Sequence, residues 1–208
     1  MHIDIQHFTK RIDGTVVLDD ISLQMESGKI YGFQGKNGSG KSMLMRAICG
    51  LIHPTEGSIK IDEKLMGADI SFPESAGILI ENPGFISSYS GLQNLKLIAS
   101  IKRQVKEEYI KELMERFHLD PVDKKAYRKY SLGMKQKLGI IAAIMEMPEL
   151  IILDEPMNGL DEESIEILKD MILELKEKGK LIILSCHDSE ELLYLADEIF
   201  NLKNGKLV

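Results

Sequence analysis

Residues 35 to 42 read Gly35-Lys36-Asn37-Gly38-Ser39-Gly40-Lys41-Ser42, a full match to G-x-x-x-x-G-K-[ST]. The chemistry these types support at this spacing is phosphate binding. Glycines open backbone conformations closed to other residues, so several N–H groups can face one anion. A following helix adds partial positive charge at its N-terminus. Lys41 would reach the β- and γ-phosphates, and the Ser42 hydroxyl would ligate Mg²⁺. The alternative, a glycine turn that only joins a strand to a helix, is disfavoured by the flanks. Lys29 to Gln34 is apolar enough for a buried strand, and Met43 to Ile48 reads as a helix.

Three further groups could act with this loop. Leu150-Ile151-Ile152-Leu153-Asp154-Glu155 is a continuous apolar run ending in two carboxylates, the pattern of a parallel strand whose C-terminal end faces a ligand. Asp154 would hold Mg²⁺ and Glu155 would polarise the attacking water. Taken alone, the pair is better read as solvated acids at an ordinary strand end; the phosphate loop upstream is what disfavours that reading. Ser131 and Gly133 open a helix at Tyr130-Ser131-Leu132-Gly133-Met134 and could bind an anion or simply cap that helix. His187 follows the apolar run Leu181 to Cys186, where it could hydrogen-bond a γ-phosphate or cap the helix beginning near Ser189.

The elements that must position these groups follow from periodicity. Short strands are expected at 3–8, 16–18, 21–25, 30–33, 58–62 and 77–80. Helices are expected at 92–101, 107–117 and 132–145, a helical block set into the chain. Strands at 150–153, 180–185 and 198–202 then alternate with helices at 162–178 and 189–196. Asn204-Gly205 predicts a hairpin closing on Lys206 to Val208. Alternation of this kind predicts an α/β fold with a largely parallel sheet.

Composition sets outer bounds. The chain has 208 residues, enough for one large domain, and 44% of them are hydrophobic, enough for a sizeable core. Twenty-six Lys and Arg against 33 Asp and Glu leave a net charge of −7, which argues against a nucleic-acid partner. No run reaches the ~20 apolar residues of a spanning helix, and the N-terminus lacks the pattern of a signal peptide. Cys49 and Cys186 lie in apolar stretches, as reduced packing residues of a cytosolic protein would.

Together the motifs resemble, over essentially the whole chain and in order, the ATP-binding subunits of ABC transporters. Gly35 to Ser42 is similar to the Walker A loop and Leu150 to Glu155 to Walker B. Tyr130 to Met134 is similar to the signature, Asn158-Gly159-Leu160-Asp161 to the D-loop, and His187 to the switch histidine. Glu81 stands where the family has the Q-loop glutamine. The resemblance implies a P-loop NTPase (RecA-like) core, an N-terminal antiparallel β subdomain and an inserted helical lobe. It implies one domain over 1–208, with a core of about 1–82 and 149–208 and a lobe of about 83–148.

It further implies ATP and Mg²⁺ as cofactors, with ATP hydrolysis coupled to transport. Nucleotide contacts would come from Gly35, Lys36, Asn37, Gly38, Ser39, Gly40, Lys41, Ser42 and Met43, with Ile12 and Val17 near the base. Metal contacts would come from Ser42, Glu81 and Asp154, and catalysis from Glu155 and His187. Ser131 and Gly133 would bind the ATP of a second copy packed head to tail, and a separate membrane permease would complete the transporter. The implied location is the cytoplasmic face of the cell membrane.

The chain departs from the pattern at four places. Glu81 replaces glutamine, Leu132 the first signature glycine, Met134 the signature glutamine, and Ile12 an adenine-stacking aromatic. The forms Glu81 to Phe85 and Ser131 to Gln136 resemble the subgroup exporting peptide antibiotics. Phe85, Ile86, Tyr89 and Leu92 are apolar residues for either the permease contact or the lobe core.

Overall fold

The computed structural model describes residues 1–81, 84–186 and 189–208. The chain opens with two long strands, β1 (His2–Ile12) and β2 (Thr15–Glu26), then β3 (Ile30–Gln34) and α1 (Lys41–Ile48). Next come β4 (Glu56–Ile61), β5 (Lys64–Leu65), β6 (Ala76–Leu79), α2 (Gly91–Lys102), α3 (Glu107–Arg116) and α4 (Leu132–Ile144). The remainder alternates: β7 (Leu150–Asp154), α5 (Glu162–Glu177), β8 (Leu181–Ser185), α6 (Ser189–Leu195), β9 (Glu198–Lys203) and β10 (Lys206–Leu207). A 3₁₀ turn at Tyr127–Lys129 precedes α4.

The expected α/β fold is present. A six-stranded sheet runs β10-β9-β3-β8-β7-β6, and β9, β3, β8, β7 and β6 are mutually parallel. Only β10 is antiparallel there, returning from β9 through the hairpin expected at Asn204-Gly205. A second, four-stranded antiparallel sheet has the order β2-β1-β4-β5. The separate strands expected at 16–18 and 21–25 are one strand, β2, because Asp19 and Asp20 pass through an irregularity in the pairing rather than a turn. The two-residue β5 carried no sequence pattern that marked it.

The central strands explain the two cores. Successive side chains of a strand point to opposite faces. Ile151 and Leu153 of β7, with Ile182 and Leu184 of β8, enter the core beneath α2 to α6. Leu150 and Ile152, with Leu181 and Ile183, enter the opposite core with α1 and the antiparallel sheet. All eight are 0–1% exposed. Covering both faces is why these runs are apolar without alternation.

Helix ends are set by their own residues. Ser90 and Gln93 form a reciprocal capping box on α2, with Ser90 N–H donating to Gln93 Oε1 at 2.8 Å. Asp161 caps α5, accepting from Ser164 N at 2.9 Å and from Ser164 Oγ at 2.6 Å. Those hydrogen bonds, with Lys137 Nζ at 3.2 Å, hold the Asp161 carboxyl below the usual carboxylate range. Because the folded value is depressed, its contribution to stability is complete above the ordinary 3.8 and is lost as pH falls through the folded value. An NMR titration should therefore place the Asp161 midpoint below 3.8.

α4 lies close on the sheet edge. A Cβ added to Gly77 of β6 would stand 1.7 Å from the Ala143 carbonyl oxygen. Gly77→Ala should push α4 off the sheet and cost on the order of 1–3 kcal/mol, read as a lower urea midpoint.

Candidate nucleotide site

The loop expected to hold phosphate runs from the end of β3 to the start of α1. Its path depends on close approach at Gly35, where a Cβ would meet the Leu202 carbonyl oxygen at 2.4 Å and Ser39 Oγ at 2.5 Å. Gly40 is the N-cap of α1 at φ 114, with no side-chain cap and no acidic residue in the first turn. The first N–H groups of a helix lack intrahelical acceptors, so this end is left to a ligand.

Above the loop lies a cleft of about 590 Å³ lined by Thr15, Val16, Val17, Asn37 to Met43, Asp154, Glu155, Asn204 and Gly205. Lys41 is 5% exposed, its Nζ 2.8 Å from the Gly35 carbonyl oxygen and 3.7 Å from Glu155 Oε1. Ser42 Oγ donates to Asp154 Oδ2, and Ser185 Oγ donates to Asp154 Oδ1. Glu155 sits at φ 51, left-handed for a non-glycine residue, an arrangement that costs about 1–2 kcal/mol. Its N–H donates to Ser185 Oγ at 3.0 Å.

The cleft fits a nucleotide phosphate and its metal. Ser39 Oγ is buried and has no hydrogen-bond partner among the described residues, so a polar group is available in the loop itself. Among the described residues no three His, Cys, Asp or Glu side chains converge on a metal position. A hard cation here would rest on Ser42 and Asp154 together with phosphate oxygens and water, a donor set suited to Mg²⁺.

The structure therefore brings together Lys41, Ser42, Asp154 and Glu155, with Val17 and Met43 in the same lining. It does not bring in every predicted residue. Glu81 Oε1 is 2.7 Å from Arg46 Nη2, so its carboxylate faces a cation of α1 and not the Ser42–Asp154 pair. Glu81 is also absent from the residues that line the cleft. Ile12, 40% exposed, ends β1 opposite Thr15; Thr15 reaches the cleft and Ile12 does not. His187 lies outside the described residues.

Ser131 caps α4, accepting from Met134 N at 3.2 Å, and Gly133 backs onto the Gly159 carbonyl. Neither lines the cleft. Sequence reasoning missed Thr15, Val16, Asn204 and Gly205. The Asn204-Gly205 turn was legible as a hairpin, but its docking was not. Gly205 N–H donates to the Ser39 carbonyl at 2.9 Å, and Asp19 N–H to the Gly205 carbonyl at 2.8 Å.

A second depression, about 530 Å³, lies beyond the other end of α1. Arg46, Leu51, Ile52, Ile78, Ile80, Gly84, Phe85, Ile98, Gly139 and Ala142 line it. Leu51 is 57% exposed. Of the four apolar residues singled out, Phe85 lines this groove with its ring edge-on to Tyr127, Leu92 packs on the core, and Ile86 and Tyr89 are exposed. Cys49 and Cys186 are both buried outside any disulfide, and burial raises the Cys49 thiol to about 12.

Residues 18–158 match the family described as ABC transporter. This chain belongs to the ABC transporter family. Its relatives in the family are ATP-binding proteins, and the chain is an ATP-binding subunit and an ATPase. It is 42% identical over 205 residues to the Bacillus subtilis (strain 168) protein named uncharacterized ABC transporter ATP-binding protein YybJ, covering 99% of this chain and 94% of that one. It is 38% identical to the bacitracin transport ATP-binding protein BcrA of Enterococcus faecalis, over 99% of this chain and 68% of the relative. It is 34% identical to the lantibiotic transport ATP-binding protein SrtF of Streptococcus pyogenes, over 99% and 89%.

A solved ATP-binding subunit of an ABC transporter superposes with a TM-score of 0.90 at 27% identity, covering 100% of this chain and 88% of that one. The cassette MJ0796, solved as a dimer in a post-hydrolysis state with ADP and Pi, shares the fold at a TM-score of 0.84 and 21% identity, covering 99% and 96%. These likenesses bear out the P-loop NTPase core. For this ABC subunit, Lys41→Ala should weaken ATP binding at least tenfold, about 1.4 kcal/mol, in calorimetry. Unchanged affinity would remove Lys41 from the site.

Proposed function

We propose that this ABC ATPase drives export through a separate membrane permease by ATP-dependent, head-to-tail pairing of two copies. One observation carries the reading. The cleft gathers Lys41, Ser42, Asp154 and Glu155, while Ser131 and Gly133 of the same chain stay outside it. A single copy thus presents only part of the set, and Ser131 and Gly133 would complete the cleft of a partner.

In this reading Gly35 to Met43 bind ATP, with Val17 near the base; Asn37 to Met43 and Val17 line the cleft, and Ile12 stands outside it. Bound Mg²⁺, held by Ser42 and Asp154, would neutralise phosphate charge. Glu155 would accept a proton from the attacking water as its oxygen bonds the γ-phosphorus and the bond to ADP breaks. His187 would contact the γ-phosphate.

The permease would seat in the groove of Leu51, Ile78 and Phe85, where apolar side chains meet an open surface. We place the binding core at about 1–82 and 149–208, with 83–148 as the lobe. No helix among the described residues is long and apolar enough to cross a membrane. The protein would act at the cytoplasmic face, recruited by its permease, with no nucleic acid involved. The bacitracin and lantibiotic transport relatives support a peptide antibiotic as cargo.

Glu155→Gln should bind Mg-ATP without turning it over and accumulate as a dimer of twice the monomer mass by light scattering. A variant that stays monomeric at saturating Mg-ATP would rule out the paired-site mechanism.

A further inference from the structure

Glu155 occupies a left-handed conformation that a glutamate adopts only when its surroundings dictate it. Two side chains from different elements do so, one on each side of its Cα. On the N–H side the partner is Ser185 Oγ at 3.0 Å. Ser185 ends β8, is 0% exposed, and spends its own proton on Asp154. On the carbonyl side Gln136 Nε2 donates to the Glu155 carbonyl at 3.1 Å and the Pro156 carbonyl at 3.0 Å, and the Asn158 N–H adds a turn hydrogen bond to the Glu155 carbonyl at 3.2 Å. With both adjoining peptides held, the direction of the Glu155 Cα–Cβ bond is set.

The two anchors differ in kind. Ser185 belongs to the buried sheet. Gln136 belongs to the first turns of α4, the helix that Ser131 caps and that carries Gly133. The carboxamide therefore ties the end of α4 to the backbone that aims Glu155.

We infer that Gln136 is a positioning residue that makes the aim of Glu155 depend on where the start of α4 sits. This rests on the function proposed above, in which Ser131 and Gly133 engage the partner's ATP. Hydrolysis in one cleft is then licensed by the same subunit's grip on the other. A shift of the start of α4 would break both Gln136 hydrogen bonds and change the aim of Glu155.

The test uses the full chain and Mg-ATP. Gln136→Met removes the donor, and Gln136→Glu keeps the shape while leaving an acceptor that cannot donate to a carbonyl. Both should lower kcat by something on the order of 10–100-fold, with KM for ATP and the unfolding midpoint close to the parent values. The decisive readout is non-additivity. In a Glu155→Ala background, the residual hydrolysis should lose nothing further when Gln136 is replaced, because a residue acting through Glu155 has nothing left to aim. Q136M added to E155Q should still yield the ATP-bound dimer.

Parent-level kcat in both Gln136 variants overturns the inference, as does an equal fractional loss with and without the Glu155 carboxylate. If E155Q itself fails to dimerise, the paired-site reading falls, and the licensing role falls with it. The non-additivity then reports only the local hold on Glu155.

Discussion

Asp154 is the fixed point of the molecule. Its two carboxylate oxygens accept from Ser42 on α1 and Ser185 on β8, while its backbone closes β7. Three elements that are distant in sequence therefore meet at one 8%-exposed carboxylate. A charge at that depth is tolerable only with its hydrogen bonds made. Its position ties the phosphate loop to the strand end carrying Glu155. The two cores on either face of β7 and β8 hold the strand that presents it.

Around that point the chain uses backbone as much as side chains. The phosphate loop is held from beneath by its approach to Leu202 and from the flank by Gly205. The β9–β10 hairpin is thus a brace for the loop as well as the sheet's antiparallel edge. Lys206, paired with Asp19 at 3.1 Å, fastens that brace to β2. The antiparallel sheet also contributes directly, since Thr15, Val16 and Val17 of β2 form one wall of the cleft.

Much of this was legible in the residues, and the reasons are local. Leu150 to Leu153 and Leu181 to Leu184 read as buried strands because both faces are covered and no polar residue interrupts them. The phosphate loop was legible because its glycines and Lys41 answer to one ligand chemistry. What escaped were partners chosen across long separations. Nothing near Glu81 announces Arg46, 35 positions away, and nothing near Asn204 announces Ser39. Gln136 reads as an ordinary helix residue until β7 is placed beside it. The expected strands at 16–18 and 21–25 left Asp19 and Asp20 between them, yet the pairing of β1 with β2 carries one strand through.

One short helix has a consequence beyond packing. α1 is eight residues long, about 12 Å at 1.5 Å per residue. It begins with Lys41 and Ser42 in the cleft, and Arg46 in its last turn lines the apolar groove. The two surfaces are opposite ends of one stiff rod with no loop between them to absorb slack. The distance between the cleft and the apolar groove is therefore set by helix geometry.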